Sequence, residues 1–292
     1  MTLRFATASL LTIASLGFAG GCSTASDEPI ATYPTSSASP STAPSLSTAP
    51  TPSISAAPAK PEVPPPPRLK GNTRNLIAFA PLSNPKDVTV LGSVPSSKAW
   101  STSKVLVVMA FIKTTADGDP ENLEPKWRQQ IKLALTESNM NSLLAIRGQI
   151  PGGSGAPMTE ILRSIGDDET TAPDSSEGSM EWTARNQVKF MAALDDGKVV
   201  SRAASEYVLN QMKPIKEHSW GLGTIGASAF KGGWLTPETE TRQMGIVGDY
   251  AVAIITDAVG PAVPQTDGDS AHVKRINKLA KILQKNLAAQ EK

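Results

Sequence analysis

Ser101 and Lys104 lie three residues apart in AWSTSKVLVVMAFI (99–112), a pairing capable of acyl-transfer chemistry. A serine hydroxyl is a poor nucleophile until a base takes its proton. If the stretch is helical, Lys104 stands on the same face one turn after Ser101 and reaches its oxygen. The lysine must then be neutral when it acts. The apolar run that follows it, Val105 to Ile112, would provide the burial that lowers an amine's pKa. The other reading of Ser101 is structural, a serine that opens a buried helix as its cap. Spacing does not decide between the two, because Ser83 and Lys86 repeat the pattern in SNPK, where Pro85 disfavours a helix.

Other chemistries have little support. Cys22 is the only cysteine, so the rest of the chain has no disulfide, thiol nucleophile or thiolate metal site. His218 and His272 are isolated in the sequence, and no Ser-His-Asp grouping is visible. The PGGSG loop (151–155) lacks the strand before it and the lysine after it that phosphate binding needs. No cofactor and no metal are expected.

The elements that must position Ser101 begin well inside the chain. Residues 1–21 read as a signal peptide: Arg4, then an apolar run too short to span a bilayer as a helix. The run closes on Ala19-Gly20-Gly21-Cys22, which resembles a bacterial lipobox with Ala19 where leucine is more usual. That resemblance implies cleavage before Cys22 and lipid on its thiol and new amino terminus, hence a protein anchored at the extracytoplasmic face of the cell membrane. Residues 22–69 are rich in Ala, Pro, Ser and Thr and cannot bury enough apolar surface to order themselves. They read as a tether about 40 Å across as a coil. Residues 70–292 suffice for one domain with a proper core. With 28 basic and 27 acidic side chains interleaved and a formal charge of +1, nothing marks a nucleic-acid partner.

Within that domain, 75–80 and 88–94 read as an antiparallel strand pair, followed by the helix that carries Ser101 and Lys104. Helical periodicity covers 127–144, 158–165, 182–194 and 201–212, with Thr183 and Ser201 as N-caps of the last two. Residues 166–179 have no period and read as a surface loop. Three strands follow, 228–234, 242–247 and 250–256, and then an amphipathic helix from His272. The order predicts an α+β fold: a five-stranded antiparallel sheet from both chain ends, covered by helices, with a helical subdomain.

That order, with Ser-Thr-Ser-Lys opening the first helix after two strands, resembles the class A β-lactamase and penicillin-binding protein superfamily. The family's Ser-x-x-Lys matches Ser101 to Lys104. Its Lys-Thr/Ser-Gly matches Lys231-Gly232-Gly233 without the middle hydroxyl. Its Ser-x-Asn matches Ser138-Asn139-Met140 without the final asparagine, for which Asn141 stands in only if the loop shifts by one residue. The Glu-x-x-x-Asn that supplies the deacylating base is absent, since neither Glu160, Glu169, Glu177 nor Glu181 has asparagine four residues later. The resemblance is closer still to a group of secreted bacterial proteins with similar AWST-x-K, WGLG and FKGGW stretches, mostly without assigned activities.

The resemblance implies Ser101 as nucleophile, Lys104 as base with Lys231 lowering its pKa, and Ser138 as relay to the leaving group. It also implies substrate contacts at Gly232 and Gly233. Arg242 is then either the charge that holds a substrate carboxylate or a solvated strand residue. Because the acylating half is better preserved than the deacylating half, the expectation is a degenerate binding domain with little or no β-lactam hydrolysis. Its partners would be peptidoglycan fragments or an envelope protein. The alternative is an active serine hydrolase or acyl transferase acting on cell-wall peptides or β-lactams.

Overall fold

Alternation along the strands decides which side chains face which layer, and it builds two cores. The computed structural model describes residues 69, 71, 74–234, 240–257 and 271–290. The signal peptide, Cys22 and nearly all of the tether fall outside them. The five strands are β1 (Asn75–Pro81), β2 (Thr89–Ser93), β3 (Ala229–Trp234), β4 (Thr241–Val247) and β5 (Tyr250–Thr256). They form one antiparallel sheet in the order β2-β1-β5-β4-β3, so the two chain ends meet where β1 pairs with β5. β4 and β5 join through a two-residue turn in which Gly248 has φ +54°, a conformation that suits glycine. β5 is buried on both faces, which explains its unbroken apolar sequence.

One face of the sheet, with Ala78, Ala253 and Ile255, joins the core shared with the helical block. The other, with Ile77, Phe79, Val252 and Ile254, is covered by α7 (Ala271–Gln290). Val273, Ile276, Ala280, Leu283 and Leu287 form the helical stripe of α7 that packs there. Leu69, placed in the tether by composition, packs against this second core.

α1 (Ser103–Thr115) is buried on all sides from Ser103 to Ile112, which is why its sequence shows no polar face. Around it lie α2 (Pro125–Thr136), α3 (Met140–Arg147), α4 (Gly155–Ser164), α5 (Ala184–Asp195) and α6 (Arg202–Gln211). Thr183 and Ser201 cap α5 and α6 as expected, accepting hydrogen bonds from the N–H groups of Asn186 and Ala204.

Two expectations change. The helical period over 127–144 hides a break, because α2 and α3 bury the same side and the pattern runs on across the gap. Ser138 sits in the gap with φ +59°, and the Asn139 side chain caps α3 by accepting from the Ser142 N–H. The stretch 166–179 is not simply a surface loop. Asp167, Thr170 and Glu177 are buried in it, and Arg163 donates to the Thr170 carbonyl at 2.7 Å while Asn186 donates to Asp167 at 2.8 Å.

Candidate active site

The question raised by Ser101 is answered by its hydroxyl. Ser101 belongs to a 3-10 turn, Trp100–Thr102, whose cap position is Ala99, and α1 begins after Thr102 without a side-chain cap. Ser101 is therefore not a helix cap. Its Oγ instead accepts a hydrogen bond from Lys104 Nζ at 2.9 Å. The turn is held under tension. Trp100 has φ +45°, unfavourable for a residue with a Cβ, and its carbonyl is gripped by the Ser103 hydroxyl at 2.6 Å.

Lys104 is 1% exposed, and burial lowers its pKa to about 8, partly offset by the nearby Glu177 carboxylate. About a tenth of such a lysine is neutral at pH 7, enough to act as a base. The amino end of α1 adds a field that favours negative charge beside Ser101.

Lys231 lies on β3 and is also buried. Its ammonium donates to Ser138 Oγ at 2.9 Å and to the Gly232 carbonyl at 2.8 Å. Burial, and then repulsion from Lys104, push its pKa well below the usual lysine range. The two amines are thus close enough to repel, and each is bound to its own serine, giving pairs Ser101–Lys104 and Ser138–Lys231.

The residues expected to contact substrate separate. Gly233 packs under Ser101, where a Cβ would stand 2.8 Å from the Ser101 nitrogen and 3.0 Å from the Thr102 nitrogen. Only glycine lets β3 approach this closely. Gly232 points to the opposite face, toward Trp220, Trp234 and Gln243. Arg242 is neither a carboxylate hook nor a solvated strand residue. It is fully buried, paired with Glu240, and donates to the Ser97 carbonyl at 3.1 Å. Asn141 is exposed on α3 and does not line the cleft beside Ser101.

That cleft, of about 380 Å³, is lined by Ser101 and Lys104, by Trp100 and Trp234, and by Met140, Leu143 and Leu144 of α3. It also contains residues that motif reasoning passed over. Glu177 lies in its wall, 3% exposed, held by Arg147 through Nη1 to Oε2 at 2.8 Å. A carboxylate does reach the site, but from a position without the expected asparagine partner, and an arginine already occupies it. Among the described residues no cluster of His, Cys, Asp and Glu is suited to a metal ion, and no helix is long and apolar enough to cross a membrane.

No family model and no curated protein matches this sequence. Solved structures do match in fold. A β-lactamase from Chitinophaga pinensis is 15% identical at TM-score 0.57, covering 75% of this chain and 95% of its own. PBP-A is 15% identical at TM-score 0.55, covering 76% and 93%. A PBP-A mutant solved as an acyl-enzyme complex with penicillin G is 15% identical at TM-score 0.52, covering 74% and 90%. The chain has a β-lactamase/PBP-A-like fold.

Proposed function

We propose that this β-lactamase-like domain forms an acyl-enzyme at Ser101 and releases it slowly, at the extracytoplasmic face of the cell membrane, where lipid on Cys22 holds it. The observation that carries the reading is the contact between Ser101 Oγ and a buried Lys104 whose pKa is lowered to about 8. Neutral Lys104 accepts the Ser101 proton as Oγ attacks the carbonyl carbon of an ester or amide. The bond to the leaving group breaks, and the proton passes to that group, with Ser138 beside it for a leaving nitrogen. Water then attacks the serine ester to restore the hydroxyl.

The second half is slow because the carboxylate in the wall, Glu177, is committed to Arg147 at 2.8 Å and not held free for a water. The domain is therefore an acylating serine hydrolase or acyl transferase of the envelope, not an efficient β-lactamase. A second reading, a pocket that binds cell-wall fragments or an envelope protein without chemistry, draws support from Lys231 and Arg242, both buried and bonded inside the protein.

The pH profile of acylation tests the first reading. The neutral form of Lys104 is the active one, so the burst rate with para-nitrophenyl acetate should rise about tenfold per pH unit below about 8 and level off above it. A flat profile from weakly acidic to alkaline pH would remove Lys104 as the base. The anchor has its own test: Cys22→Ala should move the protein from the membrane fraction to the medium or leave it unprocessed. Normal processing and membrane retention would refute it.

A further inference from the structure

The walls of the cleft suggest which acyl group it takes. Among the described residues three large apolar side chains are exposed, Val90, Met140 and Leu144, and the last two stand on this cleft at 54% and 44% exposure. Met140 occupies the place where the Ser-x-Asn pattern would put a polar asparagine. Trp100 adds to the apolar lining. Exposed apolar groups concentrated at one cleft mark a binding surface.

Charge narrows the class further. Among the described residues, the cations that line the cleft are Lys104 and Arg147, the first bonded to Ser101 and the second to the buried Glu177. Lys231 donates to Ser138 and the Gly232 carbonyl, Arg242 is paired with Glu240, and Gly232 has no hydroxyl to offer. A substrate carboxylate entering here would lose its hydration and, among the described lining residues, meet no uncommitted cation; Lys98, outside the lining, has its ammonium over the Trp100 ring, 5.1 Å from the centroid. Resting on the reading of Ser101 as nucleophile, we infer that the site is selective for uncharged, apolar acyl groups, alkyl or aryl esters and amides, over acyl groups that carry a carboxylate.

The test uses matched probes on the full chain. The para-nitrophenyl ester of hexanoic acid and the mono-para-nitrophenyl ester of adipic acid have acyl chains of equal length and differ in the terminal carboxylate. Hexanoate should acylate Ser101 about tenfold or more faster than adipate. The double variant Met140→Gln/Leu144→Gln, at two exposed positions, should slow hexanoate about tenfold and shrink its advantage over adipate. Equal rates for the matched pair, or a double variant indistinguishable from wild type, would overturn the inference while leaving the nucleophile reading intact. Should no ester label Ser101, the nucleophile reading fails. The Ser101→Ala protein then decides the preference by binding alone. Hexananilide should shift the fluorescence of the cleft tryptophans at concentrations where adipic acid monoanilide does not, and the reverse or no difference would refute it.

Discussion

Lys104→Met should remove acylation and stabilise the protein at the same time. Lys104 is the base bonded to Ser101 Oγ, so without its amine the burst rate should fall about a thousandfold. The stability change follows from linkage. The folded pKa of about 8 lies below the ordinary 10.5, so the unfolded chain binds the proton more tightly than the folded one. Burying this amine therefore destabilises the fold fully below pH 8, less as pH rises from 8 to 10.5, and not at all above. The gap corresponds to about 3 kcal/mol, from which the lost bond to Ser101 subtracts about 1 kcal/mol. Denaturant unfolding should show Lys104→Met more stable by about 2 kcal/mol at neutral pH, with the advantage gone near pH 10.5. A variant no more stable than wild type at neutral pH would mean that Lys104 is not desolvated as described. Stability given up at a reactive position is a frequent property of working sites.

Arg242→Met should be among the most destabilising single changes in the domain, at about 3–5 kcal/mol, because it leaves Glu240 buried without its partner. Burial already pushes the Glu240 carboxyl up, against the opposing pull of Arg242. Removing both charges in Arg242→Met/Glu240→Leu should recover most of the loss, since a buried ion pair exchanged for apolar groups is often close to neutral. Acylation by the fraction that remains folded should be unaffected in either variant. An Arg242→Met protein with normal stability but weakened reaction with carboxylate-bearing esters would return Arg242 to the role of substrate anchor.

Much of the fold was legible because its signals are local. The caps Thr183 and Ser201, the all-apolar α1, the apolar run of β1 and the helical stripe of α7 each follow from residue types and spacing over a few residues. The pair Ser101–Lys104 belongs to the same class, because one helical turn joins them. What was not legible depends on contacts distant in sequence. Nothing near Glu177 announces Arg147, 30 positions away, and a search for asparagine four residues on passes the glutamate by. Arg242 was misread because a buried strand such as β4 gives no polar alternation to show which side chains meet water. Gly232 and Gly233 were grouped as neighbours in sequence although strand alternation sends them to opposite faces, which the period of two would have revealed. The break at Ser138 was half visible: its loop character came from the motif, while the apolar period of α2 and α3 ran across it.

The most direct test of Ser101 as the nucleophile is time-resolved intact-mass spectrometry with peptide mapping of the full chain. The probe is para-nitrophenyl acetate, whose acyl group is too short to depend on the apolar walls. The account predicts one acetyl group per chain, mapped to Ser101, appearing faster as pH approaches 8, decaying much more slowly than it forms, and absent from Ser101→Ala. An adduct that persists in Ser101→Ala, or no adduct with a folded wild-type protein, would contradict it.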